Sequence, residues 1–106
     1  METSPNAAAI RAAVVEITAG IRRLSGLSRG EGEMVDMVTV LEALEGADGP
    51  LAAIGDLCSA GAEWLPEFED EDADKAAERL DDVAGQTETV RYGLDIVLRL
   101  IRPLAG

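Results

Sequence analysis

Residues 73–101 read ADKAAERLDDVAGQTETVRYGLDIVLRLI, and their spacing decides the fold. Ala73, Ala76, Leu80, Val83, Thr87, Val90, Leu94, Val97 and Ile101 recur by threes and fours without a break. That is the 3.6-residue period, and it predicts one continuous helix with an apolar side facing a core. Acids crowd its start from Glu67 to Asp74, and Arg99 and Arg102 stand at its end. Both groupings complement the helix dipole. Pro103 stops the helix, because proline cannot continue the hydrogen-bond ladder. At 1.5 Å per residue, roughly 30 residues make a rod of about 45 Å.

The same period extends toward the N-terminus. Pro66 closes a predicted third helix from about Pro50 to Leu65, with Leu51, Ile54, Leu57/Cys58 and Trp64/Leu65 on one side. Gly55 and Gly61 weaken its middle, each costing about 1 kcal/mol relative to Ala. Gly46-Ala47-Asp48-Gly49-Pro50 is the sharpest break in the chain. Before it, Met34, Met37/Val38, Leu41 and Leu44 predict a short second helix from about Glu31 to Glu45. A first helix opens at Ser4-Pro5, an N-cap residue followed by proline. Its stripe is Ile10, Val14, Ile17, Ile21 and Leu24, and Gly26 with Ser28–Gly32 ends it. Alternation of period two is absent, so no strand is expected. The expected fold is all-α: one domain over residues 1–106, a four-helix bundle ordered long, short, short, long, with a long C-terminal helix.

Hydrophobic residues make up 47% of the 106, enough for a core rather than a disordered chain. Trp64, Phe68 and Tyr92 are the only aromatics, so that core must come from Ala, Val, Leu and Ile. Net charge is −12, from 21 acids against 9 bases. Phosphate neutralisation requires clustered Lys and Arg, so direct nucleic-acid binding and attraction to an anionic membrane are disfavoured. A basic protein partner suits such a charge. Cys58 is the only cysteine and histidine is absent. An internal disulfide and a Cys/His zinc site are therefore both excluded, and Cys58 reads as a small buried apolar residue. No basic stretch followed by an apolar run marks a leader, and no apolar run approaches the roughly 18 residues of a membrane span. A cytoplasmic location follows as the expectation. High alanine and glycine with a single lysine suggest a bacterial or phage genome rich in GC.

Catalysis has little to work with. The commonest general base, histidine, is missing, and no phosphate-cradling, zinc-protease or nucleophile-elbow motif occurs. No catalytic residue and no cofactor is expected. Two carboxylate groupings remain. Glu42-x-x-Glu45 with Glu78-x-x-Asp81 resembles, at those four positions, the magnesium sites of all-helical nucleotide pyrophosphatases of the MazG type. The resemblance implies a metal held between two facing helices. On the predicted fourth helix, however, Glu78 points opposite to Leu80 and Val83, and a bundle-core site needs inward ligands. Asp70-x-Asp72-x-Asp74, with Glu78 and Asp81, resembles an EF-hand calcium loop in its oxygens, with Lys75 where that loop requires glycine. Residues 73–82 read better as helix than as loop, so no metal ligands are expected.

Two features go beyond a plain bundle. Tyr92, Ile96 and Leu100 form a second apolar stripe on a different side of the last helix. A helix apolar on two sides is either central in its own fold or covered by another chain. Charge is also uneven: residues 67–82 hold nine acids against Lys75 and Arg79, a net of −7. Residues 1–30 hold four arginines against Glu2 and Glu16. The candidate interaction residues are therefore Tyr92, Ile96, Leu100, Glu67, Glu69, Asp70, Glu71, Asp72 and Asp74. They predict a small acidic non-enzymatic protein, an adaptor, inhibitor or assembly subunit, that recognises a basic partner or a second copy of itself as a homodimer. The alternatives are an acidic nucleic-acid mimic that inhibits a DNA- or RNA-binding protein, and a carboxylate-dependent divalent-metal-binding protein or MazG-like nucleotide pyrophosphatase.

Overall fold

Local signals start and stop each helix, and the computed structural model describes residues 5–26 and 32–106. The first helix, α1 (Ala7–Gly26), follows a turn at Pro5 and Asn6. The Asn6 carbonyl accepts the first helical hydrogen bond, from the Ile10 N–H. Ser4, expected as the N-cap, lies outside the described residues, as do Ser28 to Glu31. The second helix, α2 (Met34–Glu45), starts three residues later than the expected Glu31. The Asp36 carboxylate accepts from the Glu33 N–H at 2.8 Å and caps that start. A tight turn, with the Gly49 N–H donating to the Gly46 carbonyl, leads to α3 (Pro50–Trp64), with proline at its first position. One 3₁₀ turn (Leu65–Phe68) links α3 to α4 (Glu71–Ile101), a helix of 31 residues. A last 3₁₀ turn (Arg102–Ala105) follows. Among the described residues every element is helical.

The packed body contains three helices, not four. α3 runs antiparallel to the first half of α4, and α2 lies against the second half. α1 stands off: among the described residues it makes no extensive contact with another helix, and its last turns border Leu44 and Pro50. The expected four-helix bundle is corrected accordingly. The stripe Ile10, Val14, Ile17 and Ile21 is at least half exposed rather than buried. The dimensions agree: a compact chain of this length has a radius of gyration near 13 Å, and this one measures 17.4 Å with extents of 55 × 28 × 19 Å.

The glycines that weaken α3 as an isolated helix are what let it pack. A Cβ on Gly55 would stand 2.7 Å from Thr87 Oγ1, and one on Gly61 would stand 2.6 Å from Leu80 Cδ2. Backbones therefore approach closely, and the inward side of α3 is built on Ala52 and Gly55. The larger side chains expected in the core turn outward instead: Leu57 is 73% exposed and Trp64 57%. Cys58 is half-buried.

On α4 the inward stripe is rotated from the expected one. Ala73, Leu80, Thr87, Leu94 and Ile101 face in as predicted. The positions between them are Ala77, Ala84, Arg91 and Leu98, each one residue beyond the expected Ala76, Val83, Val90 and Val97. A one-residue step at every second position turns the face by about 50°. Arg91 explains the difference, because it occupies an inward position that an apolar pattern passes over. Its Nε donates to the Glu45 carbonyl at 2.8 Å, and its Nη1 pairs with Glu88 at 2.9 Å. It thus satisfies a C-terminal carbonyl of α2 that would otherwise lack a partner. Leu98 is fully buried.

Candidate protein-interaction site

Asp70, within the acidic segment, is the N-cap of α4. Its Oδ1 accepts from the Asp72 N–H at 2.7 Å. Glu71, Asp72 and Asp74 fill the first turn, where orphan N–H groups and the dipole favour negative charge. Glu69 precedes them in the left-handed region, at φ 53°. Glu67 lies in the 3₁₀ turn. All of these carboxylates are exposed. Lys75 pairs with Glu71 at 3.4 Å across an exposed turn, an arrangement that adds only a few tenths of a kcal/mol. The calcium-loop likeness at Asp70, Asp72 and Asp74 dissolves here, because these residues form a helix start.

The four carboxylates of the pyrophosphatase likeness are also kept apart. Glu42 binds Arg102 at 3.5 Å near the C-terminal end of α4. Glu78 and Asp81 lie beside Ser59, Ala62 and Glu63 of α3, toward the other end. Among the described residues no three His, Cys, Asp or Glu side chains gather as a metal set.

Tyr92, Ile96 and Leu100 lie on the outer side of α4, with exposures of 64%, 42% and 70%. Successive steps of four keep them on one side, while α2 and α3 occupy the other. They are not covered by the chain's own helices. The acids at the start of α4 and this stripe near its end are separated by some five turns. They share a helix but form two surfaces.

A third surface escaped the sequence reading. Leu57, Cys58, Ala60, Gly61 and Trp64 of α3 line a groove with Leu80 of α4, almost wholly apolar and about 520 Å³ in volume. Trp64 packs edge-on to Phe68 with ring centroids 4.7 Å apart, and both rings remain more than half exposed. The available signal was Gly61, whose missing side chain brings Leu80 against α3 and pushes Leu57 and Trp64 to the rim.

Among the described residues no helix is long and apolar enough to cross a membrane. Comparison with protein-family models, with curated proteins and with solved structures finds no match.

Proposed function

We propose that this chain is a small acidic non-enzymatic interaction protein, an adaptor, inhibitor or assembly subunit acting in the cytoplasm. It recognises another protein with a basic surface through its helix faces. One observation carries the reading: Tyr92, Ile96 and Leu100 expose an apolar stripe on a helix whose opposite side already serves the fold. Such a stripe has no use in a monomer, whereas apolar and aromatic side chains of this kind anchor protein interfaces. The acids from Glu67 to Asp74 would steer a basic partner toward the same helix.

The double substitution Ile96→Asp/Leu100→Asp tests this. Helicity and melting temperature should stay near wild type, while capture of the partner, with the purified partner then titrated directly, should fall at least tenfold. Loss of the fold would make these residues core and end the reading. Unchanged capture would end it equally.

A second reading is favoured by the exposure of Asp72, Asp74, Glu78, Asp81 and Asp82 along one rigid helix. There the carboxylates imitate phosphates and occupy the groove of a nucleic-acid-binding protein. Affinity in that case collapses with added salt and with Asp70, Asp72 and Asp74 changed to Asn. A salt-insensitive complex rejects it.

A further inference from the structure

Two surfaces of the same chain stay largely exposed and match each other, although Ile17, Ile21 and Leu24 also border Leu44 and Pro50 of their own chain. α1 presents Ile10, Val14, Ile17, Ile21 and Leu24 at alternating steps of four and three, the narrow seam by which a helix beds against other helices. The α3–α4 groove, from Leu57 through Gly61 to Trp64 with Leu80, has no occupant among the described residues. We propose that a second copy of this chain fills it: α1 of each protomer lies in the α3–α4 groove of its partner, in a reciprocal two-fold dimer. The inference rests on the reading of the chain as an interaction protein and adds to its basic partner a second copy, held at a different surface.

Area supports a second copy. A compact chain of 11.1 kDa exposes about 5,700 Å², whereas this one exposes 7975 Å². The excess, on the order of 2,000 Å², is well above the roughly 800 Å² per partner of a standard interface and suits an obligate dimer. Reciprocal exchange covers both surfaces on both chains at once, which a one-sided partner would not do.

Charge supports the same pairing edge by edge. At about 100° per residue, Arg11 and Arg22 share one flank of the α1 seam, and Glu16 lies with Arg23 on the other. Along the α3 edge of the groove, Asp56 stands four residues before Ala60. Along the α4 edge stands Arg79, beside Leu80. The arginine flank thus meets Asp56 on one edge, and Glu16 meets Arg79 on the other. Lengths agree as well: the seam covers about 21 Å and α3 about 22 Å. The exposed Trp64–Phe68 pair supplies an aromatic anchor of the type that dominates association.

Cys58, the only thiol, lines the groove and serves as the probe. Wild-type chain is mixed with an Ala13→Cys/Cys58→Ser variant and treated with a short bis-maleimide. The expected product is a covalent heterodimer joining position 13 of one chain to Cys58 of the other. Light scattering should give twice the chain mass. Ile17→Asp/Ile21→Asp should reduce both the cross-link and the dimer at least tenfold while the helical signal persists. A monomer across the accessible concentration range overturns the proposal. So does an Ala13→Cys chain with Cys58 intact that links only within itself, which places α1 on its own groove. Cross-links between two copies of position 13, without Cys58, show pairing through α1 alone and also overturn it. The Ile96→Asp/Leu100→Asp variant should keep the dimer, so loss of partner capture there and loss of dimer here are separate failures.

Discussion

Asp70 ties one side chain to the longest element of the molecule. Its carboxylate accepts from the Asp72 N–H at the start of α4, and no other side chain replaces it there. Asp70→Ala should cost about 1 kcal/mol and Asp70→Asn much less, read from urea unfolding midpoints. Glycines give a sharper contrast. Cβ atoms added at Gly85 and Gly93 meet nothing within 4 Å. Gly85→Ala and Gly93→Ala should each stabilise by up to about 1 kcal/mol through helix propensity alone. Gly55→Ala should destabilise despite the same propensity gain, because the new methyl meets Thr87 Oγ1 at 2.7 Å. Thr87 is β-branched and holds its hydroxyl on the Ala84 carbonyl, so it yields poorly. The double variant Gly55→Ala/Thr87→Ala should recover most of the loss.

At the scale of the helix, α4 is where legibility in the sequence can be judged. Its existence, direction and end at Ile101 follow from period and charge, since tertiary packing rarely overrides so long a pattern. Its inward face does not follow. Hydropathy ranks Val90 above Arg91, yet Arg91 turns in because the last carbonyl of α2 needs a donor. A bond between residues 46 apart has no local signature. The consequence is measurable: Leu98→Ala should cost about 2–5 kcal/mol, and Val97→Ala and Val90→Ala well below that, because Leu98 is fully buried and the valines are half exposed. Comparable losses at Val97 and Leu98 would restore the unrotated face. The acidic start and the Tyr92, Ile96 and Leu100 stripe were legible for the same reason as the helix, as simple spacings. The α3–α4 groove was not, because it depends on how far Gly61 lets two backbones approach.

For the whole molecule, the buried core is small. Among the described residues only Val38, Ala52, Gly55, Ala77 and Leu98 are buried, and two are alanines and one glycine. Close backbones bury little apolar area per residue, so an isolated chain stands near the lower limit of stability. In the proposed dimer, association supplies part of the folding free energy, and the melting temperature should then rise with protein concentration. Differential scanning at several dilutions reads this; a concentration-independent transition would show that the three-helix body is self-sufficient. Twelve net negative charges also repel one another. Moving from low to physiological salt, where the screening length is about 8 Å, should raise the melting temperature further.

The outward placement of α1 has a consequence for lifetime. A 20-residue helix with so little tertiary cover opens at almost no free-energy cost, and proteolysis tracks the population of open segments. In the proposed dimer a paired copy hides that helix, whereas a surplus copy offers it to any protease at the same moment that it offers it to a partner. Excess chains should be cleared first, so that the level of the free protein is set by how much of its binding surface is already taken.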